Sequence, residues 1–405
     1  MEKSRKPKIR FKGYNDDWEQ RKLLDIYQNI GNAFVGTATP YYVEQGHFYL
    51  ESNNIKNGQI NHNSEVFINN DFYERQKDKW LHTGDMVMVQ SGHVGHAAVI
   101  PEKLDNSAAH ALIMFRNAKV EIEPYLLNYQ YQTSNSKKKI DNITTGNTIK
   151  HILASDMKQF TVDIPSIGEQ QLVANYFIQL DELITLHQRK LEKLMNVKKS
   201  MLEKMFPKQG STVPEIRFNG FTQAWEQRKA KKLFISTADK GYPDLPVLSA
   251  TQDRGMIRRD QNSINISHDK NNENGYKRVL PGQFVIHLRS FQGGFAHSRI
   301  EGITSPAYTI FGFSEPKKHD SEYWKYVFTS KEFIRRLETV TYGIRDGRSI
   351  SYDEFLTLDF FFPSVEEQEK ISQYLDELTH LITLHQRKLE KLKNIKKSML
   401  EKMFI

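Results

Sequence analysis

The chain of 405 residues carries 57 Lys and Arg against 49 Asp and Glu, a net charge of +8, and contains no cysteine. This length is enough for two or three domains with real hydrophobic cores, and the lack of cysteine excludes disulfides, thiol nucleophiles and cysteine-ligated metals. The moderate basic excess fits an ordinary solvated protein as well as one with a nucleic-acid partner. The first residues, MEKSRKPKIRF, are charged and the apolar runs are short, so we expect no signal peptide, no membrane segment and a cytoplasmic protein.

Each half of the chain begins with a similar stretch, called here the opening segment. The two opening segments are Pro7–Lys22, which reads PKIRFKGYNDDWEQRK, and Pro214–Lys229, which reads PEIRFNGFTQAWEQRK. Ten of their 16 positions are identical, including the blocks R-F-x-G and W-E-Q-R-K. The repeat divides the chain into two modules, and we predict that each module consists of an opening segment, a variable body and a long helix.

The two bodies share little sequence, yet their turns and apolar runs follow the same order. In both bodies a turn leads into an apolar run, at Leu81–Val89 and at Leu280–Ile286, and a Gly-containing turn comes next. Both bodies end in another apolar run, Phe160–Pro165 in the first and Leu358–Pro363 in the second. Such runs are typical of buried strands, so we predict mixed α/β bodies with irregular strands and long loops.

The last part of each module is duplicated almost unchanged. Leu183–Phe206 and Leu381–Phe404 are identical at 22 of 24 positions, and neither contains Gly or Pro. Their apolar residues recur every three or four positions, which predicts two helices with a narrow seam of the coiled-coil kind. The seam of the helix pair is predicted to contain Ile184, Leu191, Leu194, Met201, Ile382, Leu389, Leu392 and Met399.

The long helices are expected to begin before the duplicated residues. The pattern S-x-x-E occurs at Ser166–Glu169 and again at Ser364–Glu367. It predicts a capping box, in which the Ser and Glu side chains bind free backbone N–H groups of the first helical turn. Each helix would then run for about 38 residues, roughly 57 Å at 1.5 Å per residue.

No catalytic pattern in the sequence is convincing. Gly31–Thr37 has the glycine spacing of a P-loop, but Thr37 stands where the lysine belongs. Ser305–Tyr308 is similar to the NPPY-type loop of adenine methyltransferases, but it lacks the Asn or Asp that would bind the amino group. His93 and His96 lie in a Gly-containing loop without a third ligand nearby, which favours a polar contact over a metal site. We therefore predict a protein that is not an enzyme and holds no metal.

Two long helices with matching apolar seams can bury those seams against each other. If the pair is antiparallel and each body lies at one end of its own helix, we expect the bodies at opposite ends and a pseudo-two-fold axis between the duplicated parts. A basic chain with two separated reading domains suits a DNA duplex with a split recognition site. Two unlike bodies would read two unlike half-sites.

This arrangement resembles the specificity (S) subunit of type I restriction–modification systems. The resemblance rests on the opening segments, on the duplicated helix and on the motif P-S-x-x-E-Q at Pro165–Gln170 and Pro363–Gln368, and it extends over essentially the whole chain. It implies an α+β fold with a pseudo-two-fold internal repeat. In that fold, two mixed α/β target-recognition domains are joined by two long helices that form an antiparallel coiled coil.

On this basis we divide the chain into five parts. These are a first target-recognition domain at 1–165 with its opening segment at 7–23, a first long helix at 166–206, a linker at 207–213, a second target-recognition domain at 214–363 with its opening segment at 214–230, and a second long helix at 364–405. The resemblance implies that each domain reads one half of a bipartite asymmetric DNA site and that the helices set the spacer.

The resemblance also implies a division of labour among subunits. Two methyltransferase subunits would dock on the duplicated regions, and nuclease–translocase subunits would join them on double-stranded DNA. S-adenosylmethionine, ATP and Mg²⁺ would belong to those partners, and this chain would hold no cofactor. The lack of catalytic motifs agrees with that division.

The residues that contact DNA are selected by their chemistry, because the bodies of such subunits vary too widely for bases to be transferred. Base edges favour Arg, Lys, Asn, Gln, Ser and Thr on loops, and phosphates favour Lys, Arg and backbone N–H groups. The candidates in the first body are Ser91, His93, Lys137, Lys138, Lys139, Thr145, Asn147 and Lys150. Those in the second body are Arg258, Arg259, Arg289, Gln292, Arg345 and Arg348. For each of them, a solvated surface position is the alternative.

An interpretation of a different class stays open at this point. The chain could be a coiled-coil scaffold whose two bodies bind protein partners. Salt-sensitive binding to a duplex would favour DNA recognition. Its absence, even with the methyltransferase present, would favour the scaffold.

Overall fold

The structure is a computed structural model that describes residues 5–146, 150–208, 210–251, 254–261, 270–287, 294–340 and 351–405. It consists of two compact units. Unit 1 contains Met1–Gln188 together with Arg387–Ile405, and unit 2 contains Arg189–Gln386. Each unit therefore combines one body with the first part of the long helix that follows it and with the last part of the other long helix.

Unit 1 is built from short strands and short helices that precede a long helix. Its strands are β1 (Glu19–Lys22), β2 (Tyr27–Asn32), β3 (Tyr42–Val43), β4 (His47–Leu50), β5 (Ile55–Lys56), β6 (Gln59–Ile60), β7 (Val66–Ile68), β8 (Met86–Val89), β9 (Ala97–Val99), β10 (Ala108–Ala109), β11 (Leu112–Ala118) and β12 (Thr161–Ile164). Its helices are α1 (Leu23–Ile26), α2 (Asn70–Glu74), α3 (Pro124–Gln130), α4 (Ser134–Ile143), α5 (Ala154–Gln159) and the first part of α6 (Ile167–Lys204).

The central sheet of unit 1 is antiparallel, with the strand order β2-β11-β8-β9. All four residues of β8 are buried, which confirms the strand predicted in the run Leu81–Val89. Because side chains alternate across a strand, Met86 and Met88 join one hydrophobic cluster while Val87 and Val89 join another. The central sheet is therefore covered on both faces.

Unit 2 has a similar series of elements. Its strands are β13 (Glu226–Lys229), β14 (Phe234–Thr237), β15 (Leu248–Thr251), β16 (Gly255–Arg258), β17 (Lys277–Val279), β18 (Phe284–Ile286), β19 (Phe295–His297), β20 (Gly302–Thr304), β21 (Thr309–Phe313) and β22 (Asp359–Phe362). Its helices are α7 (Ala230–Leu233), α8 (Ser321–Thr329), α9 (Lys331–Val340), α10 (Tyr352–Phe355) and the first part of α11 (Val365–Leu400).

The central sheet of unit 2 repeats the order of the sheet in unit 1. It reads β14-β21-β18-β19, all antiparallel, so each strand has a counterpart in β2-β11-β8-β9. The strand β18 is buried and confirms the prediction made for Leu280–Ile286. The core beside this sheet is largely aromatic; it includes Phe234, Phe284, Phe295, Phe311, Phe328 and Phe355. The two bodies thus share a topology that their sequences do not reveal.

The opening segments pair with the last strand of each body. The W-E-Q-R-K block supplies β1, which pairs with β12, and β13, which pairs with β22. The tryptophan of the block is buried in both units. Trp18 lies edge-on to Phe404, with ring centroids 6.0 Å apart, and Trp225 lies edge-on to Tyr323 at 6.2 Å. The block is therefore a structural element that ties the start of each body to its end.

The R-F-x-G block and the Glu of P-S-x-x-E-Q are joined by a buried ion pair. Arg10 donates two hydrogen bonds to the carboxylate of Glu169, each 2.7 Å long, and Arg217 makes the same bidentate contact with Glu367 at 2.9 and 2.7 Å. The helices begin at Ile167 and Val365 as predicted, but the capping-box interpretation is wrong. The carboxylates bind these arginines, and in the described part of the chain they accept no bond from the helix backbone.

The Gln of the same motif holds each long helix against its body. In unit 1 the side chain of Gln170 donates to the carbonyl of Pro165 at 2.9 Å and accepts from the backbone N–H of Glu123 at 2.9 Å. In unit 2 Gln368 bonds to Pro363 at 2.9 Å and to the N–H of Asp320 at 3.0 Å. Glu123 and Asp320 are the N-caps of α3 and α8, so the two contacts are equivalent.

The last part of each long helix packs on the body of the other module. In unit 1 Phe404 lies 5.8 Å from the ring of Phe177, and Lys396 forms an ion pair of 2.6 Å with Asp181. Phe177 pairs with Phe404, and Asp181, which comes later in α6, pairs with Lys396, which comes earlier in the other segment. The two paired segments are therefore antiparallel. In unit 2 the last part of α6 and the two residues after Lys204 contribute to the hydrophobic core. They include Leu194, Val197, Met201, Met205 and Phe206.

The seam residues are among the less exposed positions of the long helices. Ile184 is buried, and the others are partly buried: Leu191, Leu194, Met201, Ile382, Leu389, Leu392 and Met399. Leucines outside the seam are exposed at Leu183, Leu186, Leu381 and Leu384. The predicted fold class is confirmed: two mixed α/β domains are joined by two long, antiparallel helices. In the ranges that the structure describes, no helix has the length and hydropathy needed to cross a membrane.

Candidate nucleic-acid interface

The loop between β8 and β9 presents the first candidates. Gly92 and Gly95 in this loop have φ values of 77° and 83°, a left-handed conformation that glycine adopts without strain. The turn leaves His93 exposed, with its ring 6.3 Å from that of His96. Ser91 forms a bridge with His151, so this loop is fixed to a later part of the body.

Three candidates selected from separate stretches meet at this bridge. Thr145 and His151 exchange two backbone hydrogen bonds, of 2.9 and 2.8 Å, and the N–H of Gly92 donates to the carbonyl of Lys150 at 3.1 Å. Ser91, Thr145 and Lys150 therefore lie on neighbouring backbone segments. The Lys150 ammonium is 3.2 Å from Asp141, but both groups are well exposed. Since such a pair contributes roughly 0–1 kcal/mol, Lys150 can exchange Asp141 for a phosphate at little cost.

The lysines of α4 lie beside the same loop. The helix begins at Thr133, whose hydroxyl caps it by accepting from the N–H of Ser136 at 3.1 Å. Lys137 lines a cleft of about 240 Å³; the other lining residues are Asn57, Gly58, Val94, Gly95, His96, Ala97, Tyr131, Gln132, Ile140 and Asp141. Lys138 is exposed and Lys139 is partly buried, and neither lines the cleft. The structure thus brings Lys137 into the cleft and leaves its two neighbours outside.

Lysines outnumber acidic groups around the cleft: Lys137 lines it and Lys56 lies near His96, whereas Asp141 in the lining is paired with Lys150. Burial lowers the pKa of His96, and the nearby His93, Lys137 and Lys56 lower it further. His96 is therefore neutral at neutral pH, and its Nδ1 lies 3.3 Å from the backbone N–H of Asn57, which donates to it. The surrounding lysines remain to attract an anion.

One part of the cleft was missed in the sequence analysis. The hairpin β5–β6 contributes Asn57 and Gly58 to the lining of the cleft, Lys56 lies near His96, and Gln59 is exposed. The signal was present in the sequence, because Asn-Gly between two short apolar positions is typical of a two-residue hairpin turn. It was missed because the flanking strands are only two residues long.

The second body has fewer candidates within the described residues. Arg258, at the end of β16, is exposed and lies 3.4 Å from Asp260. The Nε and Nη1 atoms of Arg259 are buried and find no hydrogen-bond partner in the described ranges. The remaining candidates lie outside the described residues: Asn147 in the first body and Arg289, Gln292, Arg345 and Arg348 in the second. Arg258 and Arg259 are adjacent at the end of a hairpin, β15–β16.

The described residues were also compared with the requirements of a metal site. Over the described part of the chain, no group of three or more His, Asp and Glu side chains is arranged to hold a metal ion. The geometry that the first body does provide is a basic cleft with exposed amide, hydroxyl and ammonium groups. Those groups can bind phosphates and base edges.

Comparison with known proteins finds similarity to type I restriction–modification specificity subunits. The family described as Type I restriction modification DNA specificity domain matches residues 15–196. The putative type I restriction enzyme MjaX specificity subunit of Methanocaldococcus jannaschii is 26% identical over 202 residues, which cover 48% of this chain and 46% of that protein. The type I restriction enzyme MjaVIII specificity subunit of the same organism is 20% identical over 409 residues, covering 95% and 91%.

A solved structure agrees in fold. The S subunit of the type I restriction–modification system from M. genitalium has a TM-score of 0.61 to this chain at 13% identity, and the match covers 99% of both chains. The chain is thus a protein of two mixed α/β domains and two long helices, an architecture that it shares with that S subunit. Its sequence is similar to the MjaVIII specificity subunit over nearly its whole length, and the family model matches residues in its first half.

Proposed function

We propose that this chain is the DNA-reading subunit of a type I restriction–modification complex and that each body reads one half of a bipartite, asymmetric site. The observation that carries the proposal is that the two units share one set of repeated contacts, called here the frame, around two different bodies. The buried Arg–Glu pairs, the Gln contacts and the sheet order repeat, whereas the exposed loops do not. A repeated frame presents two reading surfaces in the same way, and unlike loops give the two half-sites different sequences.

The chemistry of the complex belongs to partner subunits in this proposal. Two methyltransferase subunits dock on the duplicated regions, and nuclease–translocase subunits join them. S-adenosylmethionine, ATP and Mg²⁺ are bound by those subunits, and this chain is not itself an enzyme. The near-identity of Leu183–Phe206 and Leu381–Phe404 supports two equivalent docking sites, because identical surfaces bind two copies of one partner.

In the first body, the cleft and the bridge beside it form the proposed contact with DNA. Lys56, Lys137 and Lys150 neutralise phosphates, and Ser91, His93 and Thr145 lie where they can reach base edges or sugars. In the second body, Arg258 and Arg259 have the corresponding role. Binding by these lysines and arginines should weaken steeply with salt, because phosphate contacts release counterions.

The direct test is methylome mapping in cells that carry this chain with its methyltransferase. We expect methylated adenines in a bipartite motif with a fixed spacer. Replacing residues 24–163 with the corresponding body of a relative should change one half of the motif and leave the other half and the spacer. Replacing 231–361 is the matched control and should change the opposite half. Loss of both halves in both chimaeras would contradict independent reading.

The proposed role of the helices in setting the spacer has its own test. Seven residues inserted within Leu191–Met201, with seven more within Leu389–Met399, keep the apolar seam within about 20° of its phase. They add about 10 Å, or roughly three base pairs of 3.4 Å. We expect the same half-sites with a longer spacer, or inactivity if the bodies cannot follow about 100° of DNA twist. Full methylation at the original spacing would contradict the proposal.

A further inference from the structure

The hairpin β5–β6 has one apolar face and one polar face. Ile55 is the cross-strand partner of Ile60, and Lys56 is the partner of Gln59. Because cross-strand partners lie on the same face, Ile55 and Ile60 pack together on the hydrophobic cluster beneath the central sheet. Lys56 and Gln59 are exposed on the opposite face. The hairpin is thus held by its isoleucines and turns its polar side outward.

The turn of the hairpin is rigid. Asn57 and Gly58 have φ values of 53° and 82°, the pair of left-handed residues that a type I′ turn requires. The carbonyl of Gly58 accepts a hydrogen bond of 2.8 Å from Asn128, which is buried in α3. A Cβ on Gly58 would collide with the amide of Gln132, so the turn lies directly against the domain. A turn fixed in this way loses little conformational entropy when it binds a ligand.

The side-chain polar groups of the hairpin are not used within the described part of the protein. Among the described residues, the side chains of Lys56, Asn57 and Gln59 form no hydrogen bond or ion pair, although all three are exposed on a well-anchored element. They lie beside the cleft that contains His96 and Lys137. Two free amides next to a cationic cleft are suited to a ligand that offers both hydrogen-bonding edges and negative charge.

We propose that the hairpin β5–β6 enters the major groove of DNA and that the amides of Asn57 and Gln59 read base edges there, with adenine as the preferred base. A two-stranded ribbon fits the major groove, and the Asn or Gln amide pairs in bidentate fashion with N6 and N7 of adenine. Lys56 shares a face with Gln59 and is available for the flanking phosphate. The inference rests on the proposed function and assigns one element of the first half-site.

The test uses the complete complex and three variants. Asn57→Gly removes the amide but keeps the left-handed turn, and Gln59→Ala removes the second amide without touching the turn. Asn57→Asp also tolerates the turn, and its carboxylate can accept from N4 of cytosine instead of pairing with adenine. The matched control is Asn106→Gly, since Asn106 is exposed, has a φ of 63° and does not line the cleft.

In methylome maps of cells carrying the methyltransferase, Asn57→Gly should relax one position of the first half-site. We expect the preference for adenine at that position to fall by roughly 5- to 150-fold, the equivalent of about 1–3 kcal/mol. Asn57→Asp should favour cytosine there, and Gln59→Ala should relax a different position. The second half-site and the spacer should not change, and Asn106→Gly should leave the whole motif intact.

Three results would overturn the inference, and they are distinguishable. If the unaltered chain gives a bipartite motif and all three hairpin variants give the same motif with the same base preferences, the hairpin only supports the domain. If the unaltered chain gives no bipartite motif, the proposed function fails and the inference fails with it. A variant with no methylation at either half-site is compared by hydrogen exchange of unit 1. Native protection would show that recognition was lost without unfolding, which supports a contact between the hairpin and DNA. Lost protection would show that the altered side chain has a structural role, which overturns the inference.

Discussion

Unit 1 and unit 2 place the same contacts around different bodies. Both contain a bidentate Arg–Glu pair, a Gln that bridges the helix start to an N-cap, and a buried Trp in the opening segment. Both have a central sheet of the same order. Yet unit 1 adds a second sheet, β10-β4-β7-β3, where unit 2 has the separate pairs β15–β16 and β17–β20. The frame fixes the ends of each body and leaves the loops between them free to differ.

Identical helix residues also meet different neighbours in the two units. Lys396 in unit 1 binds Asp181, and both side chains are largely buried. Its duplicate in unit 2 is Lys198, which lies over the ring of Tyr326 and, in the described ranges, forms no ion pair. Burial and the nearby Lys325 lower the pKa of Lys198. A surface common to both helices can therefore be stabilising in one unit and neutral in the other.

The largest effect is expected from removing residues 387–405. Unit 1 would lose Leu400, Met403 and Phe404, all of which are buried. Truncating such side chains costs about 2–5 kcal/mol each, so the total is comparable to the stability of a whole domain. We expect unit 1 to lose protection from hydrogen exchange while unit 2 keeps it. The matched control is Lys393→Met with Ile395→Val, which converts the segment into its duplicate and should leave unit 1 folded.

Residues 1–206 are expected to dimerise when they are produced alone. Because α6 is continuous from Ile167 to Lys204, its last part cannot fold back onto its own body. It is nonetheless almost identical to the segment that completes unit 1, so a second copy can supply it. We expect this fragment to form a two-fold dimer, measured by analytical ultracentrifugation. Met205→Asp with Phe206→Asp should abolish the dimer, and a monomeric, folded fragment without these changes would contradict the prediction.

The buried ion pairs rank next. Arg10→Ala should destabilise unit 1 by about 3–5 kcal/mol, because it leaves the Glu169 carboxylate buried without its partner. Arg217→Ala should do the same to unit 2. The exposed pair of Arg21 and Glu19 is the control, and Arg21→Ala should cost under about 1 kcal/mol. Local opening energies from hydrogen exchange separate the units, and equal losses in all three variants would mean that burial does not govern these pairs.

The ion pairs also show what the sequence could and could not predict. The long helices, their first residues and the strands β8 and β18 followed from local patterns, because apolar periodicity and turn residues are local signals. Glu169 was assigned to a capping box because its partner, Arg10, is 159 residues away and no local pattern connects them. The cleft could not be predicted from the sequence for a similar reason, because Lys56, His96 and Lys137 come from three distant stretches of the chain.

A smaller and asymmetric effect is expected at the duplicated lysine. Lys396→Met should destabilise unit 1 by roughly 1–3 kcal/mol, because Asp181 loses a charged partner in a nearly buried site. Lys198→Met should change the stability of unit 2 by less than about 0.5 kcal/mol or raise it, since its ammonium is partly desolvated without an ion pair among the described residues. Hydrogen exchange of both variants provides the comparison. Equal destabilisation would show that the surroundings of the two lysines do not matter.

The smallest predicted difference is the response of the two units to mild acid. Burial lowers the pKa of His297 and of His319, each to about 4, and both histidines belong to unit 2. Each histidine is neutral in the folded protein above pH 4 but takes up a proton near pH 6.5 in the unfolded chain. Its contribution to the stability of unit 2 is therefore present above pH 6.5 and is lost as the pH falls towards 4.

Between pH 6.5 and 5.5, each histidine should cost unit 2 at most about 1 kcal/mol, which follows from 1.36 kcal/mol per pH unit for one bound proton. In unit 1, burial also lowers the pKa of His96, but this side chain is only partly buried, whereas His297 and His319 are buried. Hydrogen exchange across this range should therefore show unit 2 opening more readily than unit 1. His319→Phe should weaken the dependence, because the ring packs against Phe313, Trp324 and Phe362 without needing a proton. A steeper loss in unit 1 would mean that other groups control the acid sensitivity.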